Sequence, residues 1–452
     1  MSVPEIEKKI GIGVYSTSTP GIGGTIKEYP EDFQVEEMLK DGSMATIHPT
    51  APQKVSGKGK FMTCILVKNG WDTLLLMREI ANGLGIHQRR LSVCGIKDTR
   101  ALTSQFISIK KVPPSHLLRL KIPRIEIYPQ SFARDPMKPD LLLGNQFRIR
   151  IRGIEGTPAD VLGTASSTLR EVEAHGGLPN FFGHQRFGTV RPVSHLVGKS
   201  IVKGDFKAAV MTFLTLYSDS ESPQAREARR NLCEGGDLQR ALQEFPRGLT
   251  YERIMTEHLI EKEGDFIGAL RSLSAKFLRL LVQAYQSYLF NLALTRRIEG
   301  GHPLNQALPG DFVAELDSQG LRSGEVQKAD ETNLPELNKG ILGGTRDLVL
   351  PTIGYNTASS DGKGAEFERS LLEAEGVEPK DFYLKEMVDV SSPGGYRSAL
   401  VKPRDVQPPH VEPEESLGRS SLILAFRLTK GSYATLLLRE IMKSSDPISA
   451  NF

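Results

Sequence analysis

One short segment gathers most of the side chains that could do chemistry without help. It is Gly95-Ile96-Lys97-Asp98-Thr99-Arg100-Ala101-Leu102-Thr103-Ser104-Gln105, between two predicted strands. An ionised aspartate on such a loop can act as a nucleophile or a base with no metal or cofactor. Lys97 and Arg100 would favour the ionised form of Asp98. The alternative is a turn aspartate that only hydrogen-bonds its own backbone.

Signatures of cofactor and metal chemistry do not occur in the sequence. Gly198-Lys199-Ser200 resembles the end of a phosphate-binding loop, but Val193 stands where the first glycine is required. The nine histidines show no zinc-hydrolase spacing, and the three cysteines form no CxxC pair. No GxGxxG or GxSxG motif is present either. We therefore expect no metal and no nucleotide cofactor.

The elements around this loop follow from hydrophobic patterning. Residues 61–70 (FMTCILVKNG) predict a strand that ends in a glycine turn, and Asp72 or Thr73 can cap a helix that reaches about Gly83. Residues 91–98 predict a short strand broken by a turn, and residues 104–109 predict the strand that follows the loop. Asp98 should therefore be fixed from both sides.

Charge is unevenly distributed along the chain. Residues 51–150 hold 18 Lys/Arg against 6 Asp/Glu, a net +12, whereas residues 301–390 hold 8 against 17, a net −9. In residues 144–153 the arginines 148, 150 and 152 alternate with Phe147, Ile149 and Ile151, which predicts a half-buried strand with a basic outer face. This pattern indicates a polyanionic partner, although an ordinary solvated surface explains charge alone equally well.

The two ends of the chain resemble each other, and the middle differs. Residues 205–300 have strong helical periodicity, whereas residues 421–442 return to a strand, a glycine turn and a helix that Ser432 could cap. The 452 residues, 39% hydrophobic, are enough for several domains and contain no apolar run of membrane-spanning length. We predict an α+β domain built from both ends, with a second domain inserted between them.

Five motifs, in order along nearly the whole chain, resemble the TruD family of pseudouridine synthases. The loop resembles the family pattern G-x-K-D-x-x-A-x-T-x-Q. The other four motifs are Glu31–Glu37 (EDFQVEE), Asn180–Gly188 (NFFGHQRFG), Ser287–Asn291 (SYLFN) and, near the end, GSYATLLLREI.

The resemblance implies a fold and a reaction. The fold is a pseudouridine synthase catalytic domain, with a mixed, mainly antiparallel sheet and flanking helices, interrupted by a large inserted α+β TRUD domain. We place the catalytic domain at residues 1–190 and 391–452 and the insertion at 191–390. The reaction converts uridine to pseudouridine in tRNA, chiefly at position 13, without metal or cofactor. We expect a monomeric, cytoplasmic enzyme with tRNA as its partner; three unpaired cysteines fit a reducing compartment.

The resemblance also assigns roles to residues. Asp98 is the nucleophile or base, and Lys97 is its electrostatic neighbour. Phe182 and Asn180 pack on and position the target base, and Phe33 and Glu37 line or support the pocket. Arg397 could pair with Asp98 or be a surface residue. The remaining candidates for substrate binding are Gln105, Arg100, Arg148 and Arg150.

Two other functions compete with this interpretation. A non-catalytic RNA-binding protein could keep the same fold, and the basic region supports it equally well. The retained Asp98 favours catalysis, because a degenerate binder could lose it. A nucleotide hydrolase lacks a phosphate-binding loop or a metal cluster in this sequence.

Overall fold

The computed structural model describes residues 2–50, 55–117, 119–358, 362–414 and 418–452. The strands in these ranges are β1 Phe33–Leu39, β2 Met44–Ala45, β3 Ser56–Gly57, β4 Phe61–Asn69, β5 Leu91–Val93, β6 Leu102–Lys110, β7 Ile125–Ala133, β8 Leu142–Glu155, β9 Leu178–Pro179, β10 Phe312–Leu316, β11 Arg322–Lys328, β12 Arg346–Thr352, β13 Gly395–Ser398, β14 Leu400–Val401, β15 His410–Pro413 and β16 Arg419–Thr429.

The α-helices lie mostly in the middle of the chain. They are α1 Glu5–Lys8, α2 Thr73–Gly83, α3 Pro114–Leu117, α4 Pro158–Ala174, α5 Ser194–Val202, α6 Phe206–Thr215, α7 Pro223–Gly235, α8 Leu238–Glu244, α9 Thr250–Glu261, α10 Phe266–Arg271, α11 Ala275–Glu299, α12 Leu334–Leu342, α13 Lys363–Glu375 and α14 Ala434–Met442.

A ten-stranded sheet contains strands from both ends of the chain. Its main order is β15-β16-β8-β1-β6-β4-β7-β3, with β2 beside β1 and β5 beside β6. The β1–β6 and β3–β7 pairs are parallel, whereas the other neighbours are antiparallel. The predicted mixed, mainly antiparallel sheet is therefore confirmed.

Strand β8 has the predicted alternation. Phe147, Ile149 and Ile151 are buried in the largest core, together with residues of α4, α11 and α14. Successive side chains on a strand point to opposite faces, so the arginines of β8 lie on the other face of the sheet. The predicted strands 61–70 and 104–109, and the helix from Thr73 to Gly83 with Asp72 as its cap, are also confirmed.

The middle of the chain forms a helical cluster and a smaller sheet. Helices α5–α11 share one core, and the 25-residue α11 ends at Glu299, next to Gly300 as predicted. The smaller sheet has the order β11-β10-β12-β13. Because β13 pairs with β12, this sheet extends past residue 390 to Ser398. The division into 1–190, 191–390 and 391–452 stays a prediction.

The last helix begins later than predicted. Helix α14 starts at Ala434, its N-cap is Tyr433, and no side chain accepts a hydrogen bond from its first turn. The prediction that Ser432 caps this helix is wrong, because the backbone is still extended at Tyr433 (φ −115°, ψ 124°). This extended segment carries Ser432 and Tyr433 into the wall of a cleft.

Candidate active site

The side chain of Asp98 lines a cleft with a volume of about 850 Å³. The cleft is walled by three parts of the chain: the sheet, through Phe33 and Phe147; the 180s loop, through Gly183; and the C-terminal segment, through Tyr433. Phe33 and Phe147 meet edge to face with ring centroids 6.2 Å apart. Such a cleft, in which aromatic rings and many polar side chains share the walls, has the size of a small-molecule or single-nucleotide site.

The loop that carries Asp98 is fixed by buried side chains. Lys68, at the end of β4, donates hydrogen bonds to the backbone carbonyls of Trp71 and Asp98, both at 2.7 Å. Thr73 Oγ1 accepts from Lys97 N at 3.1 Å, and Gln105 Nε2 donates to the Gly95 carbonyl at 3.2 Å. Gln105 is a predicted substrate-binding residue with a structural role as the open alternative, and here its amide nitrogen supports the loop backbone.

The Asp98 carboxylate has two polar neighbours. Lys27 Nζ lies 3.4 Å from Oδ1, and Gln185 Nε2 donates to the same oxygen at 3.2 Å. The Lys27 side chain is 6% exposed and its ammonium lies 4.5 Å from the centroid of the Phe33 ring. Lys27 also has a left-handed backbone (φ 56°), which costs a non-glycine residue energy and is found most often at functional sites.

Lys97 does not touch the Asp98 carboxylate. Its Nζ lies 2.7 Å from Glu37 Oε1, at ion-pair distance but without hydrogen-bond alignment, and donates to Asn145 Oδ1 at 2.7 Å. Glu37 is completely buried and its other oxygen accepts from Phe106 N. Lys97 forms its ion pair with buried Glu37, so its role as the electrostatic neighbour of Asp98 stays a prediction. Glu37 and Lys97 support the cleft from inside the sheet.

Asn180, Phe182 and Arg397 lie in a second cavity, which we call the Arg397 groove. It has a volume of about 440 Å³, and Ser432 lines both the groove and the Asp98 cleft. Arg397 Nη2 donates to Asn180 Oδ1, and its guanidinium stacks 4.1 Å from the centroid of the Phe182 ring.

The predicted pair between Arg397 and Asp98 is therefore not formed. Arg397 also donates to the backbone carbonyls of Asn180 and Gly431, at 3.0 and 3.1 Å. Burial lowers the pKa of Arg397 to about 10, so it keeps its charge at neutral pH. Its guanidinium is held by these acceptors and by Phe182 on the far side of Ser432 from Asp98.

The other predicted cationic contacts are divided between the two faces of the molecule. Arg100 is exposed at the cleft, where its Nη1 donates to Asn451 Oδ1 at 3.3 Å. Arg148 and Arg150 point away from the cleft, because Phe147, at an odd position of the same strand, lines it and alternate side chains point to opposite faces. Arg150 pairs with Glu412 at 2.7 Å, so the expected uniformly basic outer face is wrong: part of its charge is neutralised inside the sheet.

Sequence reasoning missed Lys27 and Lys68. Lys27 is 71 positions from Asp98, and no local pattern marks such a contact. Lys68 did leave a signal, since a single charge follows the apolar run Phe61–Val67 in a strand that proves to be fully buried. Buried lysines need specific partners, so this position could have been singled out. In the part of the chain that the structure describes, no cluster of three His, Cys, Asp or Glu is arranged to hold a metal ion.

Comparison with known proteins connects this arrangement to one family. The family model described as tRNA pseudouridine synthase D (TruD) matches residues 9–441. A curated protein of Methanosarcina mazei, named "Probable tRNA pseudouridine synthase D", is 38% identical over 446 residues, 98% of each chain. One of the same name from Pyrococcus furiosus is 37% identical over 430 residues, 95% of this chain and 98% of its own.

A solved structure agrees with both fold and sequence. The crystal structure assigned as tRNA pseudouridine synthase D (TruD) from Methanosarcina mazei matches with a TM-score of 0.84 and 37% identity, over 99% of this chain and 100% of that one. The fold is thus that of a pseudouridine synthase, a class of RNA-modifying isomerases. Within that class, the chain belongs to the TruD family.

Proposed function

We propose that this protein converts uridine to pseudouridine in tRNA, at position 13 as the family resemblance implies, with Asp98 as the reacting carboxylate. The observation that carries the proposal is the position of Asp98: a 30% exposed carboxylate, on a loop fixed from behind, at the open side of an aromatic-walled cleft. The membership of the family supports the substrate class. No helix in the described ranges is long and apolar enough to cross a membrane.

The reaction is an isomerisation, so its atoms balance without a co-reactant. The bond from C1′ to N1 of the uridine breaks, the uracil turns, and C5 bonds to C1′. The proton that leaves C5 is matched by one gained at N1. Asp98 supplies the carboxylate, as a nucleophile at carbon or as a base for a sugar proton. The reaction as written draws on ordinary side chains alone.

Lys27 and Gln185 adjust the reactivity of Asp98. The ammonium of Lys27, 3.4 Å away, supplies a counter-charge to the carboxylate, and the amide of Gln185 fixes its orientation. Both contacts are made to Asp98 Oδ1, and among the described residues Oδ2 accepts no hydrogen bond, so this second oxygen is available to the substrate. Half-buried Tyr433 offers aromatic surface to a flipped uracil, which must be held while its bond to the sugar is open, and buried Phe33 supports the cleft wall beneath Lys27.

The Arg397 groove would receive the RNA next to the target nucleotide. It adjoins the Asp98 cleft at Ser432, and its walls carry Lys40, Arg322 and Lys430 besides Arg397. In this arrangement Phe182 and Asn180 position Arg397, and Arg397 contacts the nucleotide next to the target. A base that stacks on this group would contribute about 1–3 kcal/mol.

The proposal also covers the oligomeric state of the protein and the compartment in which it works. We expect a monomer that works in the cytoplasm, where the free cysteines Cys64, Cys94 and Cys233 would stay reduced. The rival function, a binding protein without activity, would not need a carboxylate oriented by Lys27 and Gln185. That arrangement favours the enzyme.

Replacement of one atom tests the assignment. Asp98→Asn keeps the shape of the side chain and removes its nucleophilicity, so pseudouridine formation in a tRNA transcript should fall by at least a thousandfold, whereas tRNA affinity and thermal stability should stay near wild type. Lys203→Gln, an exposed change on another part of the chain, serves as the control. Turnover within tenfold of wild type in Asp98→Asn would contradict the role of Asp98.

A further inference from the structure

One end of the large sheet carries a dense group of cations. We call it the basic tip; its members are Lys58, Lys60, Arg90, Lys110, Lys111 and Arg134. Pairing register brings them together, because Phe61 lies opposite Lys110 on one side and Ala133 on the other. The backbone confirms the contact, since Lys111 N donates to the Lys60 carbonyl at 2.7 Å.

The side chains of the basic tip converge on one surface. The ammonium groups of Lys60 and Lys110 lie 5.7 and 5.9 Å from the centroid of the same Phe61 ring. Arg90 donates to the backbone carbonyls of Lys110 and Lys111. Segments that are distant in sequence therefore bring the side chains of Lys60, Arg90 and Lys110 to the same end of the sheet.

No acidic residue in the described ranges forms an ion pair with any of these six cations. Most are exposed, and Asp135 is the acidic residue next to the group in sequence. Elsewhere in the same sheet the arginines of β8 do find carboxylates, as Arg150 does with Glu412 and Arg152 with Asp32. Clustered like charges repel one another, and a bound polyanion relieves that repulsion.

The basic tip is remote from the reacting group. Strand β4 connects the two: Phe61 lies at the tip, and Lys68, seven residues later, binds the carbonyl of Asp98. At about 3.3 Å per residue the two ends are about 23 Å apart. One nucleic-acid strand advances about 3.4 Å per nucleotide, so this span corresponds to about seven nucleotide steps.

We propose that the basic tip binds the phosphate backbone of the substrate RNA about seven nucleotides away from the target uridine. The inference rests on the proposed function, and it makes a folded RNA, larger than the hairpin around the target, the preferred substrate. Contacts of this kind give affinity and orientation without reading sequence.

The experiment compares two RNAs on the same variants. One is a full-length tRNA transcript, and the other is a hairpin with the same target uridine and about five nucleotides on either side. Lys60→Gln with Lys111→Gln should weaken binding of the tRNA about tenfold or more near 0.1 M salt. It should also reduce the slope of log affinity against log salt by about two. Hairpin binding and turnover should not change.

A matched pair of substitutions gives the control. Lys207→Gln with Lys276→Gln removes two exposed lysines from α6 and α11, and should leave both RNAs at wild-type affinity. Equal losses on tRNA and hairpin, or no loss on either, would overturn the remote contact. If the wild-type protein forms no pseudouridine in either RNA, the proposed function itself fails, and that result is distinct from the others.

Discussion

The backbone of Asp98 is held as firmly as its carboxylate. Lys68 is buried, and its ammonium donates to two carbonyl oxygens, one of which belongs to Asp98 itself. Burial lowers the pKa of Lys68 to about 8, although the charges of Asp98 and Asp72 act in the opposite direction and Lys97 adds to the lowering. Lys68 is therefore a positioning residue whose charge can be lost within an accessible pH range.

The titration of Lys68 should affect activity and stability in opposite directions. Above pH 8 the neutral amine binds the Asp98 carbonyl less strongly, because charge-assisted hydrogen bonds are the stronger kind. Single-turnover rates should fall with an apparent pKa near 8. The unfolded chain binds more protons than the folded one between pH 8 and about 10.4, so the free energy of unfolding from this group should rise over that window.

Lys68→Met separates the two effects. The variant should lose tenfold or more in single-turnover rate at pH 7, and its rate should no longer fall around pH 8. The free energy of unfolding at pH 7 should be close to that of wild type, because removal of the buried charge offsets the loss of the hydrogen bonds to the Trp71 and Asp98 carbonyls. An unchanged rate and pH profile would remove Lys68 from the positioning of Asp98.

At the scale of elements, one helix organises the 180s loop. Ser287, Phe290 and Asn291 lie three and four residues apart on α11 and so share one face. Ser287 Oγ accepts from Arg186 Nε at 3.0 Å, and Phe290 meets Phe182 edge to face with centroids 5.5 Å apart. This is the physical basis of the SYLFN motif: it anchors the loop whose residues line both cavities.

Asn291→Ala tests this anchor. The buried Asn291 amide accepts from Phe182 N at 2.7 Å and donates to the carbonyls of Phe182 and Ile10, at 3.0 and 2.9 Å. Alanine leaves these buried backbone groups unpaired, at a cost of about 1–3 kcal/mol each before relaxation. The free energy of unfolding, measured by denaturant titration, should fall by about 2–4 kcal/mol.

The activity of the Asn291→Ala protein should fall further than its unfolded fraction explains, because the loop loses its fixed position. The exposed Gln224→Ala, on helix α7, provides a surface change for comparison. Normal turnover per folded molecule would show that α11 stabilises the fold without positioning the loop.

Local patterns predicted the elements better than they predicted the contacts. The period of two in β8 and the Asp72 cap of α2 are encoded within about ten residues, and both are confirmed. The alternation within β8 does not show which face of the strand will line the cleft. It also does not show that Arg150 will pair with Glu412, because Glu412 lies on β15, near the other end of the chain. The contacts of Lys27 and Lys97 could not be predicted for the same reason. Lys27 lies beside Asp98, whereas Lys97 forms its ion pair with buried Glu37 on strand β1.

At the scale of the whole molecule, the cleft depends on the joining of the chain ends. Glu7, near the start, pairs with Arg439 of α14 at 2.8 Å, 432 positions away. Arg439 also binds Glu440 and the Val14 carbonyl. Tyr433 and Phe452 of the same C-terminal segment wall the Asp98 cleft. The buried ion pair therefore holds one wall of the site in place.

Arg439→Met should strongly weaken this contact between the two ends of the chain. Removing one member of a buried pair leaves Glu7 as an uncompensated charge, which costs about 3–5 kcal/mol. Burial already raises the pKa of Glu7, and the loss of Arg439 should raise it more. A folded-state pKa above the unfolded value means that the folded chain gains the proton first. The stability deficit of the variant should thus shrink as the pH falls through the raised pKa of Glu7.

A double-mutant cycle decides whether the pair acts as a unit. Glu7→Leu combined with Arg439→Met should be more stable than Arg439→Met alone, because one of the two buried carboxylates that lose Arg439 is then removed, while Glu440 keeps its hydrogen bonds from Ser16 and Thr17. Lys8→Gln, which breaks only the exposed pair with Glu5, should cost less than 1 kcal/mol. Across these variants the rate of pseudouridine formation should fall in the same order as the free energy of unfolding. Additive losses in the double variant, or full activity in Arg439→Met, would show that the wall beside Asp98 stands without the pair.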